Sequence, residues 1–135
     1  MHIKTQAFTF DAPVAKVFGF LSNIDNLPAW AIHFCKDLRR EGDRHIVTTP
    51  AGDLLLRLDA DAKTGVIDFV AGPDETKLER WPSRLVPLGE SRSLWLFTAI
   101  QSPGMPDIEF DRQCDLLIEE SEVLRKRVEP ARSAA

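Results

Sequence analysis

The sequence predicts an α+β domain in which a long C-terminal helix packs against a curved, seven-stranded antiparallel sheet. Three observations lead there. The chain opens on an alternating strand-like segment, glycines punctuate its middle into short strand-like pieces, and one long amphipathic pattern runs from about Pro106 to Glu129. At 135 residues, 44% apolar and 28% charged, the chain has room for one core and an enclosed cavity but not for a second domain. Residues 1–130 are therefore expected as a single domain, with 131–135 as a tail.

Ile3 to Phe10 alternates and carries two threonines and two phenylalanines, which predicts the first strand. Asp11, Ala12 and Pro13 then supply a helix start, and Val14, Val17, Phe18 and Leu21 follow at i, i+3, i+4 and i+7. Ser22 and Asn23 interrupt this helix. A second short helix or helical turn is expected over Ile24 to Phe34, with Pro28 near its start and Trp30, His33 and Phe34 sharing a side.

Glycines 42, 52, 65, 72, 89 and 104 separate the segments 36–41, 44–49, 53–60, 66–71, 76–86 and 91–101, as turns that need positive φ separate successive hairpins. With the first strand these make seven. Alternation turns Leu54, Leu56 and Leu58 inward, opposite to Leu55, Arg57 and Asp59, and likewise Ile67 and Phe69 opposite to Asp68. In the last hairpin, a loop of Leu88, Gly89 and Glu90 sets Trp81 against Phe97, Ser83 against Trp95 and Leu85 against Ser93. That register gathers the aromatics on one face and Arg80, Arg84 and Arg92 on the other.

In the long helix, Asp107, Glu109 and Asp111 lie near the start and Arg125, Lys126 and Arg127 at the end, the distribution that the backbone dipole favours. Its apolar stripe reads Phe110, Cys114, Leu117, Ser121, Leu124, Val128. Asp111, Asp115, Glu119, Glu122 and Lys126 form its solvent side, and Pro130 ends it.

Composition excludes several classes of function. A formal charge of -4, with the one basic run already explained by the helix terminus, argues against nucleic acid as a partner. Cys35 and Cys114 have no neighbours at metal-ligand spacing and form no disulfide framework, so both are expected as reduced thiols. No segment reads as a signal peptide or a membrane span, which points to the cytoplasm. No Gly-x-Ser-x-Gly elbow, phosphate loop or His-Glu-x-x-His pair is present, and neither a cofactor nor a metal is called for. Oligomeric state is not legible.

The stretch AFTFDAPVAKVFGFLSNIDNLPAWA resembles the opening of the SRPBCC (START-like) superfamily, in particular its polyketide cyclase/dehydrase-like branch. There a strand leads into an Ala-Pro helix start and then an Asp-Asn-Leu-Pro-x-Trp segment. GVIDFV, PSRLVPLGE and SPGMPDIEFD resemble pieces of small bacterial members, so the resemblance spans nearly the whole chain. It implies the helix-grip fold, with a cavity between the sheet and the last helix. The superfamily includes lipid and hormone carriers, quinone-binding proteins, aromatic polyketide cyclases and regulatory binders, so the resemblance leaves the contents of the cavity open.

On that frame the expected pocket wall combines Trp30 and Phe34 from the second helix, Phe69, Trp81, Trp95 and Phe97 from the sheet, and Phe110, Cys114 and Leu117 from the long helix. Ser121 and Cys114 leave room there or let the helix approach the sheet. Such a wall suits a small apolar or aromatic ligand; the same aromatics are also what an ordinary core would hold. For catalysis the candidates are His33 and Arg84. His33 is the one histidine placed near the wall, since His2 is terminal and His45 falls in an outer strand. Arg84 lies in the piece that resembles the bacterial members, where an inward arginine would anchor a carboxylate or polarise a carbonyl, although the strand register turns it outward. Asp25 suits a cap or turn better than a base. Three functions follow: a small-molecule binder, a cyclase or dehydratase acting on a ketone-bearing substrate, and an interaction module with a filled core.

Overall fold

The alternating N-terminal segment forms β1, Ile3–Phe10, and buries Gln6 and Phe10. The computed structural model describes residues 1–130, so the tail expected at 131–135 lies outside the described residues. After β1 come α1 (Val14–Leu21), a 3-10 turn (Ile24–Asn26) and α2 (Leu27–Trp30). The strands β2 (Asp37–Glu41), β3 (Arg44–Thr49), β4 (Gly52–Asp61), β5 (Val66–Gly72), β6 (Glu79–Trp81), β7 (Ser83–Pro87) and β8 (Ser93–Ile100) follow, and α3 (Asp107–Val128) closes the chain.

All pairings are antiparallel. The sheet runs β1-β8-β7-β5-β4-β3-β2, with β6 attached to β5, so the first and last strands are neighbours. The expected α+β architecture is present with one subdivision. The segment expected as a single strand over 76–86 becomes β6 and β7, because Pro82 has no N–H for the ladder. Ser83 closes the gap instead: its hydroxyl donates to the Ile67 carbonyl, and its N–H donates to Asp68 Oδ1 at 3.3 Å.

The β7–β8 hairpin differs from the expected register by two residues. Ser83 faces Phe97, Leu85 faces Trp95 and Pro87 faces Ser93, so the connection is longer than Leu88 to Glu90. A two-residue slip preserves side-chain parity, so the faces stay as expected. Leu85 and Trp95 are buried, while Arg80, Arg84 and Arg92 lie on the solvent side.

Gly72 is not a turn residue: it ends β5 and lacks the positive φ of Gly42, Gly52, Gly65, Gly89 and Gly104. A close approach explains it, since a Cβ there would collide with the Lys77 carbonyl. The stripe Phe110, Cys114, Leu117, Ser121, Leu124 and Val128 of α3 is buried throughout. At its C-terminal end Arg125 Nη1 donates to the Thr9 carbonyl at 2.6 Å, and Glu129 Oε2 accepts the Asp11 N–H at 2.7 Å, so the helix is tied to the corner between β1 and α1.

Candidate functional site: the inner wall between sheet and C-terminal helix

Three elements bring the expected aromatics together. Trp30 ends α2, Phe69 points inward from β5, and Trp95 and Phe97 alternate inward on β8. Their rings pack edge to face: Trp30 to Trp95 at 5.7 Å, Trp30 to Phe69 at 6.4 Å, Phe69 to Phe97 at 5.6 Å and Trp95 to Phe97 at 5.6 Å. Phe8 of β1 joins them 5.6 Å from Trp95. Each such pair contributes about 0.5–1.5 kcal/mol beyond its buried area, so the wall is cohesive as well as apolar. Phe34, Trp81, Phe97 and Phe8 around it are only half-buried.

α3 buries the side chains Cys114, Leu117 and Ser121, and Leu117 joins the core cluster that holds the rings. The Ser121 hydroxyl donates to its own helix at the Ile118 carbonyl, 2.6 Å away, and burial pushes the Cys114 thiol above its usual range. Both therefore present small, unreactive surfaces. Phe110 is buried but stands apart from the ring cluster, edge-on to His2 at 6.1 Å near the start of β1.

The two catalytic candidates are not brought together. His33 lies at the seam between α2 and α3, where Nε2 pairs with Glu119 Oε2 at 3.0 Å. Arg84 is exposed on the far face of the sheet, and its Nε donates to the Thr64 carbonyl at 3.2 Å. His45 lies on β3, next to the edge strand, and faces the 3-10 turn, with Nε2 3.9 Å from Asp25 Oδ1 and its side chain only 15% exposed. The cap of that turn is Asn23, whose side chain accepts the Asp25 N–H at 3.1 Å. Among the described residues no group of three or more His, Cys, Asp or Glu is placed to hold a metal ion.

Sequence reasoning missed Glu120. It is buried, and Oε2 accepts the backbone N–H groups of His33 and Phe34 at 3.1 Å each, fastening the segment that follows α2 to the long helix. Its position was the available signal: it lies three residues after Leu117 and four before Leu124, at the edge of the buried stripe. Three further buried groups were also missed as polar features of the wall. Gln6 Oε1, Ser93 Oγ and Trp95 Nε1 have no hydrogen-bond partner.

Outside this wall, a cleft of about 300 Å3 opens where β3 stops pairing at His45 and Leu56 while β4 runs on to Asp61. Ile24, His45, Leu56 and Leu58 contribute to it, and none of the expected wall residues does.

Solved structures share this arrangement along nearly the full chain. A START superfamily protein from Mycobacterium smegmatis superposes with a TM-score of 0.64 at 14% identity, covering 95% of this chain and 97% of its own. The protein XoxI from Bacillus cereus gives 0.72 at 13%, covering 95% and 96%. The Zhui aromatase/cyclase from a Streptomyces species gives 0.61 at 16%, covering 94% and 92%. The chain has the START-like helix-grip fold. No family model matches the sequence, and no curated protein does. Within the START-like fold the ring cluster lies on the inner face of the sheet beneath α3, and no helix among the described residues is long and apolar enough to cross a membrane.

Proposed function

We propose that this START-like chain binds a small apolar or aromatic molecule between the inner face of its sheet and α3. One observation carries the reading: Trp30, Phe69, Trp95 and Phe97 converge from three elements on a single wall, against which α3 packs Leu117 and Leu124 and in whose buried stripe Cys114 and Ser121 are small. Aromatic side chains offer large apolar faces and polarised edges to an apolar or aromatic ligand, and small residues in the helix stripe lower the bulk that a ligand must displace. The similarity in fold to the Zhui aromatase/cyclase supports a ligand of the same general kind. Turnover has no comparable support in the geometry, because the His33 ring is engaged by Glu119 and Arg84 lies on the opposite face of the sheet.

Mass spectrometry of freshly purified protein under native conditions, followed by solvent extraction, tests the reading. A co-purifying apolar molecule is expected. The variant Ser121→Phe, which inserts a ring at the middle of α3, should fold and lose uptake at least tenfold. Unaltered uptake by the folded variant would remove the ligand from this wall.

A further inference from the structure

Three polar atoms on the inner face of β1 and β8 lack partners although their residues are at least nine-tenths buried: Trp95 and Ser93 are 0% exposed and Gln6 is 8% exposed. A buried polar group without a partner costs about 1–3 kcal/mol, and here all three that burial leaves unpaired among the described side chains share one face of two adjacent strands. Register places them together. Phe8 faces Trp95, Gln6 faces Phe97 and Phe10 faces Ser93, so Gln6 is the diagonal neighbour of Trp95, and Ser93 lies two residues along the same face.

Their chemistry is selective. The indole N–H of Trp95 can only donate. Gln6 already donates from Nε2 to the Cys114 carbonyl at 3.1 Å, which fixes the orientation of its amide and leaves Oε1 as an acceptor alone. Ser93 Oγ can do either. A carboxylate would meet the lone pairs of Gln6, and a ketone or ether would satisfy Trp95 while leaving Gln6 orphaned. A neutral hydroxyl accepts from the indole and donates to the amide at once.

We infer that Gln6 and Trp95 form a polar subsite, with Ser93 at its far edge two residues beyond Trp95, that selects apolar ligands carrying a neutral hydroxyl, such as phenols. This rests on the binding function proposed above and narrows the class of ligand. The ring of the ligand lies along the aromatic wall and its hydroxyl lies over the inner face of β1 and β8, at Gln6 and Trp95.

Isothermal titration with 2-naphthol and 2-methoxynaphthalene separates the two ideas, because the ether can accept from Trp95 but cannot donate to Gln6. The naphthol should bind about tenfold tighter, the value of one buried hydrogen bond. In folded Gln6→Met that preference should fall below about threefold. Equal affinities in the native protein would overturn the subsite and leave the apolar site standing, whereas no binding of either probe would overturn both. A preference that survives in folded Gln6→Met would also overturn the subsite. A readout independent of any variant is the indole N–H resonances of 15N-tryptophan protein: one of them should shift as 2-naphthol is added, and no shift at saturation would refute the assignment.

Discussion

Glu120 shows how a single residue couples burial to the covering of the wall. Burial pushes its carboxyl above the usual 4.5, and the opposing pull of the Phe34 and His33 backbone N–H groups, of His33 and of Lys36 does not restore it. The folded state thus holds this proton more tightly than the unfolded chain. That contribution to stability is complete below pH 4.5 and is lost as pH rises through the raised value. The native protein should therefore lose stability relative to Glu120→Gln as pH rises above 4.5, read as the difference between their thermal midpoints across a pH series. A constant difference would show that the carboxyl is not perturbed. Leu124, 0% exposed in the α3 stripe, tests plain packing. Leu124→Ala should cost about 2–5 kcal/mol in urea unfolding, because the rigid sheet beneath cannot collapse into the space.

At the scale of elements, turns and strand breaks define the sheet. Gly65 joins β4 to β5 with φ of 80°, and a Cβ there would collide with the Leu85 carbonyl of β7; Gly42 has φ of 64° in open space. Gly42→Ala should therefore cost about 1 kcal/mol from conformation alone. Gly65→Ala should cost clearly more, since the ladder must also move. Equal losses for the two in chemical denaturation would mean that the contact with β7 is relaxed at no cost. The outer face of β4, β5 and β6 carries Arg80 between Asp59 and Asp68, at 3.0 and 2.9 Å, which accounts for the carboxylates there as a solvated strand surface. Pairs this exposed contribute little to stability, so the inner face dominates.

For the whole molecule, the pairing of β1 with β8 and the ties from Arg125 and Glu129 back to Thr9 and Asp11 join the two ends of the described chain. Residues 1–130 are expected to unfold as one cooperative unit. Trp30, Trp81 and Trp95 all report on the inner side, so tryptophan fluorescence and far-UV circular dichroism should trace the same urea transition, and separated midpoints would refute a single unit.

What the sequence determined by itself was periodic or punctuated. The 4-3-4-3-4 spacing of the α3 stripe, the alternation in β1 and β4, and the face parity of Trp95, Phe97 and Arg84 each depend on neighbours along one element, and a two-residue error in hairpin register leaves them intact. Tertiary structure alone decided which of those faces meet. It set Glu120 beneath the backbone of His33 and Phe34, moved Phe110 away from the ring cluster to His2, and turned His45 toward Asp25. It also left Gln6, Ser93 and Trp95 buried without partners. Periodicity says that a side chain is turned inward, whereas its partner is set by the packing of elements up to 118 residues apart, as for Asp11 and Glu129, and no local pattern encodes that distance.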